Sequence, residues 1–534
     1  MNKLNSILMI CWIVITFMAI PCFAKTYKWV DENGVTNFTD DPSKLPKSTQ
    51  PFSVQSQQMI SEKPTYGSPP KTLFSTLTIR EMLRNKDFKK LNTTLSDYHK
   101  AYEKDIRNED SLLDAFLAFS VNDANYEALL NDWVKSYPGS YQPFLARASY
   151  FYNLGWKSRG GKWASETTDK QHEGMRSYFT KAKQDIEQAL RIEPDHIVPH
   201  YFLINIYKAL GDKSEIKAII KKALEKNSSS FRIRSTYLLS ITPRWLGTYE
   251  EMDQFAAESQ KYAFKNSKLK ALKGYVFYDA GKLQKSSKNY GMALKSLDKA
   301  LSFGDLAIFY EERADIHRHM DKSDEALKDF NSAIALAPQN ADSYYRRSKL
   351  FSSKKMMREA LKDIEIADQL DPNDEYIAKQ KKWIADTFVH SGYSQQKTKN
   401  LSGAIEDFNA AIQTNPDNAD TYYRRTRAFI DKKDLASAFN DLKKALELDP
   451  NNFDFYLLMD WLLTQKSDWG GIISNWSRYI ALNPNNDRAY LERGGAFFRR
   501  GDLSSAVADA KRAADLGNTE GQKMYDKYKD RTKK

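Results

Sequence analysis

Five prolines rule the second half of this chain. Pro338 and Pro372 stand 34 residues apart, as do Pro416 and Pro450, and again Pro450 and Pro484. The segments behind three of them read alike: ADSYYRRSKLF from Ala341, ADTYYRRTRAF from Ala419 and DRAYLERGGAF from Asp487. A fixed period of this length marks one supersecondary unit, which cannot bury its apolar face alone and must stack on its neighbours. The chain's 534 residues also exceed what one compact core serves. A quasi-linear stack meets both constraints.

Each unit must hold two antiparallel helices in close contact, so small side chains are needed where they touch. Ala326 and Ala333, Ala360 and Ala367, Ala404 and Ala411, Ala438 and Ala445, and Ala506 and Ala513 supply them. Tyr310, Tyr344, Phe388, Tyr422, Tyr456 and Tyr490 fill gaps near the start of each first helix. The proline ends the second helix and sets the next turn. This pattern resembles the tetratricopeptide repeat. The resemblance implies an all-α, tetratricopeptide-type helical solenoid with a concave face for partners. The array is expected over 266–518, followed by a capping helix and basic tail over 519–534. Pro372 and Pro416 are 44 apart, and the ten extra residues, around 376–384, should lengthen a first helix. In 453–484, Ile472 and Tyr479 take two of the small positions, so that helix pair should splay.

The amino terminus reads differently. Lys3 gives a positive start, residues 7–20 are apolar apart from Thr16, and Pro21 precedes small side chains at Cys22 and Ala24. This is the layout of a secretory signal over 1–24. The apolar run is short for a membrane span, which takes about 20 residues. Cleavage after Ala24 is expected to give a periplasmic or secreted chain without a stable span; the alternative is an inner-membrane anchor formed by the uncleaved signal. Both cysteines, Cys11 and Cys22, lie within the signal, so the mature chain must be stabilised by packing.

Next comes YKWVDENGVTNFTDDP, from Tyr27. Asn33-Gly34 is a hairpin signal, because a type I′ turn needs positive φ at both centres. A two-residue loop there sets Trp29 opposite Phe38 and Val30 opposite Asn37, a cross-strand aromatic pair. Tyr27, Lys28, Trp29, Val30, Asp31, Gly34, Phe38, Thr39 and Asp40 resemble domain-of-unknown-function family 4124, a small module behind the signal peptides of Gram-negative envelope proteins. That resemblance implies a small N-terminal β-hairpin module over 25–42. The Pro-, Ser- and Gln-rich stretch 43–72 reads as a linker.

Residues 73–265 keep a helical period, but their repeats are degraded. Ala182, Ala189 and Pro194 fit one unit. Around them lie Trp133-Val134, Leu145-Ala146-Arg147, Trp156/Arg159/Gly160 and Pro243-Arg244-Trp245. These resemble domain-of-unknown-function family 4034, which implies a helical-repeat domain of unknown activity; Leu246 stands where that family has Gly. Trp156, Arg159, Trp163, Arg244 and Trp245 form a polar-aromatic set in Gly-bearing loops, where binding residues gather. The ordinary account of such a set is Arg stacked on Trp as packing.

Lys and Arg number 81 against 69 Asp and Glu, a net +12 spread along the chain. Nucleic acid is not an expected partner, since its binders concentrate their charge. No Gly-rich phosphate loop, Gly-x-Ser-x-Gly elbow or cysteine cluster occurs. His196 and His200 flank Pro199 at a helix start, without a zinc motif around them. No enzyme activity, cofactor or metal is expected. The resemblance to the tetratricopeptide repeat implies that two positions of each first helix, the one after the family's Tyr and the one four later, point into a concave groove: Tyr345 and Lys349, then Tyr423 and Arg427. These four are the candidate partner-binding residues, an aromatic and a cation per unit, suited to an acidic or aromatic segment. The reading is an exported, non-enzymatic scaffold that binds a protein or peptide partner along that face. The alternative is an envelope glycan-binding protein or enzyme using the Trp/Arg loops. Indoles suit sugar rings, but no acid–base pair has the spacing of a glycosidase.

Overall fold

The computed structural model describes residues 27–30, 36–39, 76–161, 166–245 and 247–530. The expected signal, the linker, Trp163 and the last four residues lie outside them. The strands belong to one compact unit and the helices to another.

In the first unit, β1 (Tyr27–Val30) and β2 (Thr36–Thr39) pair antiparallel, with Trp29 opposite Asn37 and Lys28 opposite Phe38. The expected register is therefore corrected by one residue. Pairing Val30 with Thr36 leaves an odd number of residues between them, whereas a two-residue turn leaves an even number. Trp29 and Phe38 are therefore not opposite one another, while Asn33 and Gly34 lie outside the described residues.

The second unit is all helix among the described residues. It opens with α1 (Thr76–Arg84), α2 (Phe88–Lys104), α3 (Glu109–Leu117) and α4 (Asn125–Ser136). Paired helices follow: α5 (Tyr141–Arg159) with α6 (Asp169–Ile192), α7 (Val198–Leu210) with α8 (Lys213–Lys226), α9 (Phe231–Ser240) with α10 (Tyr249–Ser259), and α11 (Gly274–Ser286) with α12 (Tyr290–Leu301). The regular array continues as α13 (Ala307–His319) with α14 (Ser323–Leu336), α15 (Ala341–Ser353) with α16 (Met357–Leu370), and α17 (Glu375–Lys397) with α18 (Leu401–Thr414). Then come α19 (Ala419–Asp431) with α20 (Leu435–Leu448), α21 (Phe453–Thr464) with α22 (Trp469–Leu482), α23 (Asp487–Arg500) with α24 (Leu503–Asp515), and a closing α25 (Thr519–Tyr528). No described helix is long and apolar enough to cross a membrane.

Local chemistry explains the period. Asn340, Asn418 and Asn486, each two residues past its proline, accept backbone N–H bonds at the starts of α15, α19 and α23. The small positions are buried between paired helices, Ala326, Ala360, Ala404, Ala438 and Ala506 completely. The long interval lengthens a first helix: α17 has 23 residues. It needs glycine at 392, where a Cβ would come 2.9 Å from the Phe408 ring of α18.

A further period runs through charge. Arg313, Arg347, Arg425 and Arg493 each grip an aspartate sixteen residues on, Asp329, Asp363, Asp441 and Asp509, through two bonds of 2.7–2.8 Å. The remaining guanidinium nitrogen donates to the preceding unit: Asp298, Asn331, Asn409 and Ser477 respectively. Each Arg therefore clasps its own helix pair and the previous one. Arg147 does the same with Asp185 and Asn131, which marks α5 and α6 as a unit of this kind. In 453–484 the clasp is replaced by Trp476, fully buried, whose Nε1–H donates to Asp460 at 2.5 Å.

Helix α3 lies across the first helices α5, α7 and α9. Glu109 accepts from the Ser230 hydroxyl and from the N–H groups of Phe231 and Arg232 at 2.9 and 3.1 Å, so it closes the start of α9 from outside. Asp110 pairs with Arg232 and Lys268. The same amino-terminal region reaches the α16–α17 loop. Arg80, 3% exposed, donates to the carbonyls of Ala118 at 2.7 Å and Gln369 at 2.9 Å. Lys157 meets Asp374 at 2.7 Å, and the Asn373 amide donates to the carbonyl of Asn122.

Candidate functional site

First helices stack on first helices. Lys285 on α11 bonds Asp315 on α13 at 2.8 Å. Gln380 on α17 donates to Ser352 on α15, and Gln396 on α17 to Asp431 on α19. Second helices meet on the other side, through Arg358 with Glu406 and Gln413 with Glu365. The first helices thus share one side of the array and the second helices the other.

One register position runs along the first-helix side: Asp315, Lys349, Tyr393, Arg427 and Trp461, spaced 34, 44, 34 and 34 residues. Asp315 is closed off by Lys285, Arg318 and Arg346. Burial alone would raise its carboxyl, but Lys285 and Arg318 hold it below the usual range. Beyond it the column opens. Lys349 and Arg427 are exposed, and Tyr393 and Trp461 keep 41% and 42% of their surface in solvent. The column alternates cation and ring. Lys397 and Arg424 lie 4.5 and 5.6 Å from the Tyr393 centroid, extending the basic-aromatic character across α17 and α19.

The four expected groove residues divide in two. Lys349 lies 5.4 Å from the Tyr345 centroid, a cation–π pair. Tyr345 itself is half-buried in the joint between units. Tyr423 is also half-buried and stacks on Phe455 of the next unit, centroids 5.0 Å apart. The tyrosines brace the joints between units, while the cations project from the first-helix side. Sequence reasoning missed Tyr393 and Trp461. Counting on from Lys349 by the 44-residue interval finds the first, and counting from Arg427 by 34 finds the second.

The Trp-Arg loops converge. Trp156 and Trp245 meet edge to face, centroids 6.2 Å apart. Arg159, buried, lies 5.3 Å from the Trp245 centroid and 5.9 Å from that of Trp156. Lys208, from the last turn of α7, lies 5.2 Å from Trp156 and 5.4 Å from Trp245. Arg244 lies 5.8 Å from Trp245, and its guanidinium donates to the Gly161 carbonyl. Trp163 lies outside the described residues. Burial, then the neighbouring Lys282, Arg159 and Arg244, pushes the Lys208 ammonium down to about 8. Lys208 and Lys282 were not foreseen; they come from helices far along the chain, and no local motif marks them.

His196 and His200 are packing rings. His196 is 1% exposed and sits against His99 and Tyr141, centroids 4.2 and 4.9 Å away, and burial pushes its pKa down, so the ring is neutral. Among the described residues no group of three His, Cys, Asp or Glu could hold a metal ion.

Paired helices in a 34-residue period, clasped by a recurring Arg, define a helical-repeat solenoid of the kind that serves protein interaction. Family profiles then place the parts of the chain. Those described as Tetratricopeptide repeat match 307–340, 419–452 and 473–520. That described as Domain of unknown function (DUF4034) matches 75–227, and Domain of unknown function (DUF4124) matches 15–72. The chain thus carries all three segments where its residues indicated them, although the Pro243–Trp245 motif falls beyond the second match. Among solved structures, the chain is similar to MamA, at 19% identity over 33% of this chain and 96% of that one, TM-score 0.23. It is similar to the P58(IPK) TPR domain, at 15% over 66% and 93%, TM-score 0.24. It is similar too to YrrB, described as a TPR protein with an unusual peptide-binding site, at 18% over 36% and 93%, TM-score 0.22.

Proposed function

We propose that this protein is an exported, non-enzymatic scaffold that holds an extended segment of a partner protein along α15, α17, α19 and α21. The observation that carries the reading is the column Lys349, Tyr393, Arg427 and Trp461: one register position, four exposed side chains, cation and ring in turn. Such a groove suits a segment in which carboxylates alternate with rings or other flat apolar groups. A packed solenoid reorganises little on binding, so less of the contact energy is lost to ordering. The signal layout of 1–24 supports export and cleavage before Lys25.

The test is an array of acidic-aromatic peptides against charge-swapped and ring-deleted versions. The acidic-aromatic set should bind selectively. The double variant Lys349→Glu/Arg427→Glu should stay folded, because exposed helix positions tolerate charge within about 0.5 kcal/mol, yet bind about tenfold or more weakly. Tyr393→Ala/Trp461→Ala should weaken binding without changing its salt dependence. Equal binding of all peptides, or binding untouched by the charge reversal, overturns the groove assignment. The glycan reading draws less support, since both indoles in the Trp-Arg cluster already have cations near them.

A further inference from the structure

Helix α17 has 23 residues where α15 and α19 have 13 each. The added turns carry rings into solvent. Tyr376 is 67% exposed and Trp383 48%, and Lys379 and Lys382 between them are exposed as well. At about 3.6 residues per turn, these four share one face. The opposite face is committed to packing: Ile377, Ile384, Phe388 and Gly392 are buried, the glycine against the Phe408 ring of α18. On the flanks Gln380 reaches α15 and Gln396 reaches α19. A solvated helix face ordinarily carries charge, whereas apolar side chains seven residues apart are the mark of a seam between helices.

The face is also held in place. Asp374 accepts the N–H groups of Tyr376 and Ile377 and bonds Lys157 at 2.7 Å, so the start of α17 is capped and anchored. A preformed surface of this kind loses little to ordering when it binds.

Spacing selects the occupant. Seven residues of helix put Tyr376 and Trp383 about 10.5 Å apart along the axis. A second helix laid along α17 returns a side chain to that line at the same interval. An extended strand offers one side chain per face about every 6.8 Å and falls out of step with the rings. The chain already holds one helix against its first helices. There α3 buries Leu112, Leu113 and Phe116, and Asp110 of its acidic first turn pairs with Arg232 and Lys268. Lys379 and Lys382 offer matching charge beside the rings of α17.

We propose that the start of α17 binds an amphipathic helix of a partner protein, with apolar side chains seven residues apart on Tyr376 and Trp383 and carboxylates beside them for Lys379 and Lys382. The site goes beyond the column, which crosses α17 ten residues later at Tyr393, and shares no residue with it.

The experiment pans a displayed library of peptides about 18–20 residues long, enough to form a helix, on the full mature chain. Apolar residues stand seven apart and acidic residues flank them. The control library carries a central proline, which breaks the helix. Binders should come from the first library alone and weaken about tenfold or more in Trp383→Ala and in Tyr376→Ala. Lys379→Glu/Lys382→Glu should weaken them too, by a margin that shrinks in high salt. Arg427→Glu, in the column, should leave them unchanged. Circular dichroism checks each fold, and Tyr376→Ala, at the more exposed ring, carries the test if Trp383→Ala unfolds. An empty first library overturns the site, as do equal yields from the proline library, which would make the occupant extended. Binders lost in Arg427→Glu but kept in Trp383→Ala and Tyr376→Ala overturn it too, while leaving the column reading intact.

Discussion

At the scale of single residues, the repeats are held by two kinds of side chain. The alanines and the prolines stand out in the sequence because each recurs at a fixed offset in an apolar pattern. The Arg–Asp clasp recurs just as strictly, but charged residues on helices are common, so its sixteen-residue spacing hides among ordinary surface charge. Arg347 and Asp363 keep only 18% and 5% of their side-chain surface. Arg347→Leu should therefore cost about 2–4 kcal/mol in denaturant unfolding, since it leaves a buried carboxylate alone. Arg347→Lys should recover little, because an ammonium cannot make the paired bonds to Asp363 and still reach Asn331. Recovery by lysine would show that charge alone matters. Ala360→Leu should cost about 1–3 kcal/mol by overpacking. Its site is closed, and its carbonyl already accepts from the Ser348 hydroxyl at 2.8 Å. The residues of the proposed groove were legible only in part at this scale. The 44-residue interval broke the count before Tyr393, so the exposed rings escaped while the flanking cations did not.

At the scale of elements, α3 is the piece the sequence concealed. Its acidic start, Glu109-Asp110, reads as a common helix opening, and its partners Ser230, Arg232 and Lys268 lie more than a hundred residues on. A helix that settles on other first helices leaves no periodic trace of doing so. Its docking should depend on pH through Glu109. Burial, only partly offset by the Ser230 hydroxyl and two backbone N–H groups, lifts that carboxyl to about 6 from an ordinary 4.5. A raised pKa means the folded state holds its proton longer than the unfolded state. The resulting stability is full below about 4.5 and is lost as pH rises through 6. Glu109→Gln should flatten that segment of the stability–pH curve, by about 1–2 kcal/mol between the limits. At neutral pH it should cost little, since Gln still accepts the backbone N–H groups, whereas Glu109→Ala should cost about 2–3 kcal/mol by leaving them open. An unchanged pH slope in Glu109→Gln would place the titration elsewhere.

At the scale of the whole molecule, a tetratricopeptide array is expected to unfold piecemeal, because each unit touches only its neighbours. Here the amino-terminal helices reach the α16–α17 loop through Arg80, Lys157 and Asn373, contacts that span more than two hundred residues of chain. Those contacts fall where the longer unit begins, so α17's extension and this contact share one place in the fold. They should couple the two parts. Lys157 and Asp374 keep 35% and 17% of their side-chain surface, so Lys157→Ala should cost no more than about 1 kcal/mol. Arg80 is different. It is buried, burial lowers its pKa, and it donates to the buried carbonyl of Ala118 and to the carbonyl of Gln369 across the chain. Arg80→Met keeps the stem and removes both bonds, at about 3 kcal/mol or more. Hydrogen exchange can separate a local effect from a coupled one. If Arg80 joins the two parts, amides of α1, α4 and the α16–α17 loop should all exchange faster in Arg80→Met, while α22 to α25, which it never touches, keep their wild-type protection. Faster exchange confined to α1 would mean that the contact adds no coupling, and that the units unfold as a simple line.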